Sequence, residues 1–242
     1  MFKAVGPVVL PVIHVLDNDQ AERNVRVVVG EGAPGCFLIN HDFEMERFLP
    51  IIAHVRARFP ALWLGVNFLA VTGKLAFPAL GRLKRDGILV DGYWADDARI
   101  DERRSQSDQP EAQDIASAMA SSGWTGFYTG GTCFKKQREV LPEHYEYAAS
   151  LATEYMDAVC TSGVATGHAA DNDKIRTFRR GIGEHAMTLA SGITPENAHA
   201  YMDDVDGFMV ATGINRDGDF YNIEPSKLSL LLKLTRDYGA RS

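Results

Sequence analysis

Short apolar, β-branched runs alternate with longer amphipathic segments from one end of this chain to the other, which narrows its possible folds more than any other feature. Parallel strands cannot be joined by a tight turn, so each needs a long crossover, usually a helix, to reach the next. Strand-like runs lie at 8–15, 36–40, 62–68, 92–96, 126–134, 158–161, 186–190 and 207–211. Helices are expected at 18–29, 44–58, 74–84, 110–121, 142–155, 171–180, 195–202 and 225–238. In 44–58 the apolar Met45, Phe48, Leu49, Ile52 and Val55 recur at the three-and-four spacing of one buried helix face.

Eight such units of similar length predict an α/β protein of one class, a single (β/α)8 TIM barrel. The 242 residues are close to the roughly 250 of a typical barrel. The competing arrangement, a doubly wound open sheet, is disfavoured because no GxGxxG turn follows the first strand. No low-complexity stretch or change of composition divides the chain, so residues 1–242 are expected to form one domain. The irregular, charged stretch 99–109 follows the fourth strand and reads either as a solvated connector or as a mobile lid over a site.

Composition removes several classes of function. A net charge of −7 with no visible basic stripe argues against a general nucleic-acid binder, although a local pocket can still be basic. Cys36, Cys133 and Cys160 are far apart and form no CxxC pair, so buried free thiols are expected, with neither a disulfide framework nor a zinc site. No run approaches the roughly 20 apolar residues of a membrane helix, and the apolar stretch at 8–16 is broken by Pro11 and His14, unlike a signal peptide. A cytoplasmic protein without membrane or nucleic-acid partners is expected. Trp124 and apolar outer helix faces leave room for a homo-oligomer.

In a barrel, functional groups gather at the C-terminal ends of the strands. The seventh run ends in Ser191-Gly192-Ile193-Thr194-Pro195, where Gly192 permits close backbone approach, Thr194 can cap and Pro195 suits a first helical position. A helix starting there would aim free N–H groups at an anion. The eighth run ends in a second small turn, Thr212-Gly213-Ile214. Two such turns in the last two positions are where many barrels hold a phosphate, so Ser191, Gly192, Thr212 and Gly213 are the candidate phosphate ligands. Thr161, Ser162, Gly163 and Thr166 of the sixth run would hold the next polar part of the ligand.

These segments, TSGVATG (161–167), Lys174-Ile175, ASGITPEN (190–197) and DGFMVATGI (206–214), resemble the BtpA-like family of barrel proteins. The likeness extends upstream through CFLINHD, LWLGVNFL, GYWADDARID and GGTCFKKQ, nearly the whole chain. ASGITPEN is also similar to the phosphate-binding turn of phosphoribosylanthranilate isomerase and other ribulose-phosphate-binding barrels. The resemblance implies a barrel of that superfamily; its members are linked to photosystem I biogenesis or described as phosphoribosyltransferase-like. It does not carry over the isomerase reaction, because His14 stands in the region of that enzyme's catalytic cysteine.

Several residues could do chemistry. If Cys133 points into the barrel, alternation brings Lys135 in as well, as a Schiff-base nucleophile, acid/base or anion clamp, or as part of a structural salt bridge. At the end of the fourth run Asp96 or Asp97 would point inward, where its carboxylate could pair with Lys135 for proton transfer or serve as a Mg²⁺ ligand; the other reading of two adjacent acids there is helix or turn capping. Asn67 would orient the substrate. Of His41 and Asp42 only one can face inward, and Asp42 is favoured because it shares a face with Asn40; His14 reads as a packed core histidine. The expected function is an enzyme acting on a phosphorylated small molecule, a sugar phosphate or nucleotide-like compound. Lyase, isomerase and glycosyl or phosphoribosyl transfer chemistries all remain open. The alternative is a non-catalytic assembly or regulatory factor that retains the phosphate cup.

Overall fold

The computed structural model describes residues 6–135, 137–165 and 167–240. Its strands are β1 (Val8–Val15), β2 (Gly35–Asn40), β3 (Trp63–Asn67), β4 (Gly92–Ala95), β5 (Phe127–Gly131), β6 (Ala158–Ser162), β7 (Ala186–Ala190) and β8 (Gly207–Val210). Each pairs in parallel with the next, and β8 closes onto β1 with Val8 opposite Gly207 and Pro11 opposite Val210. The helices are α1 (Asn18–Gly30), α2 (Met45–Arg58), α3 (Gly73–Arg85), α4 (Pro110–Ser122), α5 (Tyr145–Ala152), α6 (Asn172–Ile182) and α7 (Pro225–Gly239). The chain is a (β/α)8 barrel, as the alternation predicts.

Alternate strand residues divide between two cores. Val8, Leu10, Val12, Phe37, Ile39, Trp94, Cys160, Ala190 and Met209 fill the barrel. Their neighbours, among them Val9, Ile13, Leu38, Val66, Tyr93, Tyr128, Leu189 and Phe208, pack outward against the helices. Burial on both faces is why the strands read as nearly unbroken apolar runs. Helix starts follow local chemistry: Asp17 accepts the Gln20 N–H at 2.8 Å, and Asp171 accepts those of Asp173 and Lys174. Pro110 and Pro225 occupy the first turns of α4 and α7, where a missing N–H costs nothing.

The N-terminal end of the barrel is stitched by a recurring device. Asp91, Asp157 and Asp206 each precede a strand and accept the amide of the strand before it: Leu64 at 2.9 Å, Tyr128 at 2.7 Å and Met187 at 2.8 Å. Arg56 and Arg179 add ion pairs to Asp91 and Asp206.

Three expectations need correction. The fifth strand stops at Gly131, short of 134, because the chain reverses at Cys133, whose φ is +48°. The expected helix at 142–155 opens as a 3-10 turn, Pro142–His144, before the shorter α5. The expected helix at 195–202 does not form; only a 3-10 turn, Ala198–Ala200, is present. There the Asn197 side chain accepts the Thr194 N–H at 2.8 Å and donates to the Gly192 carbonyl at 2.7 Å, closing the chain into a loop. The 99–109 stretch folds around buried Gln109, which bonds the Asp101 and Ser105 carbonyls, and buried Glu102 is clasped by Arg138.

Candidate functional site

Above the inner layer of Trp94 and Met209 the barrel opens into a small cavity at the C-terminal ends of the strands. His14, His41, Asp96 and Lys135 line one part of it, Gly167, Ser191, Gly192, Thr212 and Gly213 another, and apolar side chains such as Val12, Ile39 and Leu69 complete the wall. The three loops after β6, β7 and β8 meet here. A β-carbon on Gly192 would lie 2.1 Å from the His168 carbonyl oxygen, and one on Gly213 would lie 1.8 Å from that of Ile193. Only glycine permits these approaches. Ser191 and Gly192 both adopt left-handed backbone, with φ of +71° and +70°, a conformation uncommon for a serine. Because no helix starts at Thr194, any anion here would meet loop amides, with no helix terminus behind them.

Lys135 reaches the cavity, though not by strand alternation. Phe134 packs into the inner core while Cys133 lies against the outer one. The turn that carries Lys135 is pinned on several sides. Its own N–H donates to Ser162 Oγ at 2.8 Å, and Gln137 Nε2 donates to the Asp96 and Gly131 carbonyls at 2.6 and 3.0 Å. From below, Lys174 Nζ donates to the Cys133 and Ser162 carbonyls at 2.6 and 2.8 Å while lying over the Tyr145 and Phe178 rings. Burial lowers the Lys174 pKa. The Lys135 ammonium donates to Ser191 Oγ at 2.5 Å, linking the β5 loop to the β7 turn across the cavity.

Asp96 lines the same cavity, and Asn67 Nδ2 donates to its Oδ1 at 3.0 Å. Asn67 is 1% exposed and lies behind Asp96, away from the cavity wall, so it orients the carboxylate where the sequence pattern had it orient the substrate. Asp97 points into a neighbouring cavity beside Arg99, with which it forms an ion pair. Of the two adjacent carboxylates, Asp96 is therefore the one that lines the site. Among the described residues no group of three or more His, Cys, Asp or Glu side chains could hold a metal ion.

The sixth strand contributes less than its hydroxyls imply. Thr161 turns away from the cavity and donates to the Thr132 carbonyl at 3.0 Å, because the inward positions of β6 fall on Cys160 and its alternates. Ser162 is fully buried beneath the Lys135 backbone, and Gly163 packs against the His168 and Ala169 backbone. Among the described residues of this loop, Gly167 reaches the cavity; Thr166 lies outside the described residues. Ser191, Gly192, Thr212 and Gly213, by contrast, all line it together.

Two histidines escape the sequence pattern. His41 faces the cavity, whereas Asp42 is exposed and accepts the Tyr221 hydroxyl at 3.0 Å; the inward residues of β2 are Phe37 and Ile39, which puts position 41 inside. His14 ends the inward row of β1 and bonds the Phe220 carbonyl at 2.9 Å. Nothing local signals that contact, which spans 206 positions of chain. Burial, with the nearby His41 and Lys135, pulls the His14 pKa from 6.5 down to about 4.

Comparison with known proteins agrees with this architecture. Residues 143–237 match the model of the BtpA family, so the likeness seen in the C-terminal motifs is real. No curated protein matches the chain. Among solved structures, phosphoribosyl anthranilate isomerase from Thermococcus kodakaraensis superposes with a TM-score of 0.62 at 17% identity, over 96% of this chain and 99% of that one. The same enzyme from Thermus thermophilus gives 0.59 at 15% identity, over 94% and 98%. A structure described as native KDPGal gives 0.65 at 14% identity, over 97% and 96%. At these identities the shared property is the barrel fold. No helix of the described residues is long and apolar enough to cross a membrane.

Proposed function

We propose that this BtpA-like barrel is an enzyme acting on a phosphorylated small molecule, whose phosphate sits between the turn at 191–193 and the turn Thr212–Ile214. The observation that carries this is the contact of Gly213 with the Ile193 carbonyl, which holds the two turns together at the mouth of a cavity containing Lys135 and Asp96. Loop amides, the Ser191 and Thr212 hydroxyls and the Lys135 ammonium are all donors, the set that a phosphate requires. That fold neighbours include phosphoribosyl anthranilate isomerases supports a phosphosugar or nucleotide-like ligand.

In this assignment Lys135 and Asp96 carry proton transfer. Lys135 is held by Ser191 Oγ beside the phosphate, where it also offsets the anion's charge. Asp96 is kept in place by Asn67 and offers a carboxylate oxygen as the proton acceptor. A thermal-shift screen of sugar phosphates and nucleotides, with and without Mg²⁺, tests the binding step, since a ligand for the native state raises its apparent stability. Stabilisation by phosphate esters, lost in Lys135→Ala, is expected. Should Lys135→Ala fold and keep full biological activity, the protein is a non-catalytic factor.

A further inference from the structure

His14 is held so that one face of its imidazole has a fixed chemical character. The Phe220 carbonyl can only accept, so the ring nitrogen 2.9 Å from it, Nδ1, carries the proton. That carbonyl is itself fixed by the Asn215 side-chain amide, which donates to it at 2.9 Å. The Phe220 ring stacks on the imidazole at 3.8 Å between centroids and 16° between planes, and His41 meets the ring edgewise at 4.7 Å. These two neighbours set the plane of the ring, and the Phe220 carbonyl favours the orientation that keeps Nδ1 beside it. The remaining nitrogen, Nε2, therefore bears the lone pair of a ring that lines the cavity, whose proposed phosphate-binding groups are donors.

We propose that His14 Nε2 is the hydrogen-bond acceptor that reads a hydroxyl of the bound phosphate ester, and so selects hydroxylated esters over bare alkyl ones. The assignment rests on the phosphate site proposed above. A phosphate oxygen would be repelled by this lone pair, which keeps the phosphate on the β7 and β8 turns and turns the ligand's hydroxylated end toward β1. The low pKa of the ring agrees with this, since burial, His41 and Lys135 oppose a second proton more than the Phe220 hydrogen bond and Asp42 favour it.

Titration calorimetry with inorganic phosphate, ribose 5-phosphate and n-pentyl phosphate tests it, the two esters having equal carbon number. The wild type should bind ribose 5-phosphate more tightly than pentyl phosphate. His14→Asn, which keeps a donor for the Phe220 carbonyl and removes the acceptor, should lower that preference about tenfold, the size of one lost hydrogen bond. His14→Gln, which returns an amide oxygen near the Nε2 position, should restore part of it. Equal loss for both esters, no loss, or no wild-type preference overturns the assignment while leaving the phosphate site standing. Failure of the wild type to bind any of the three overturns the phosphate site and this inference with it. If the variants do not fold, ¹⁵N spectra of the wild-type histidines decide. The Nδ1–H form at neutral pH, with an Nε2 resonance that ribose 5-phosphate moves and pentyl phosphate does not, supports the assignment; the opposite tautomer overturns it.

Discussion

Gly213 packs against Ile193 so closely that a β-carbon at 213 would lie 1.8 Å from the Ile193 carbonyl oxygen. Backbone cannot give way there as a flexible side chain could. Gly213→Ala should force the two turns apart, cost roughly 1–3 kcal/mol of stability as overpacking does, and weaken phosphate binding. Urea unfolding gives the first quantity and phosphate-dependent thermal shift the second. A variant with wild-type values in both would mean the contact is dispensable.

Lys135 should matter to the ligand more than to the fold. Its ammonium donates to Ser191 Oγ at 2.5 Å beside the proposed phosphate position. Lys135→Met keeps most of the aliphatic stem and removes the charge, so phosphate affinity should fall roughly 10–100-fold, the range of one charge-assisted hydrogen bond. Melting temperature without ligand should change little. Calorimetric titration with inorganic phosphate measures the loss, and unchanged affinity would remove Lys135 from the cup.

At the opposite end of the barrel, Asp206 accepts the Met187 N–H at 2.8 Å and pairs with Arg179 at 2.7 Å. Asp206→Ala leaves a strand amide without its acceptor and Arg179 without its carboxylate. A loss of about 2 kcal/mol in chemical denaturation is expected, with phosphate affinity unaffected because the site is at the other rim. A loss below about 0.5 kcal/mol would place this end among ordinary surface positions.

His14 makes stability depend on pH in a defined window. Its native pKa of about 4 lies below the ordinary 6.5, so on acidification the unfolded chain takes up this proton first. The contribution is fully present above pH 6.5 and is lost as pH falls toward 4, on the order of 3 kcal/mol in total. Asp101, held at about 2 by Arg103, loses its contribution in more acidic solution. Denaturation of wild type and His14→Phe at pH 7, 5.5 and 4 separates the effects. The variant should lack the steep part of the slope between 6.5 and 4, and parallel curves would contradict the buried neutral histidine.

Much of the barrel was legible in the sequence because its signal is local. The runs at 8–15 and 186–190 match β1 and β7 at both ends; the first is bounded by Pro7 and by the helix-capping Asp17 just past Leu16, the second by the polar His185 and Ser191. What was lost depends on backbone reversal or on distant partners. A φ of +48° at Cys133 ends β5 early and defeats alternation beyond it, so Lys135 reaches the cavity from a turn. Alternation groups Asn40 with Asp42 and Thr161 with its alternates, but it cannot say which face is the inside; the closed sheet sets that, and it places His41 in the cavity and Thr161 behind the wall. The sequence pattern 194–202 carries good helix-start residues, yet Asn197 satisfies the backbone locally and the helix does not form. His14 needed Phe220, which only the completed barrel brings near.

The phosphate cup is tested most directly by ¹H–¹⁵N spectra of the protein titrated with inorganic phosphate. Saturable shifts of the Gly192, Ile193 and Gly213 amides, with the rest of the barrel unmoved, are the predicted result. Shifts that do not saturate, or that fall elsewhere and leave those three amides unchanged, would contradict a phosphate site built from these two turns.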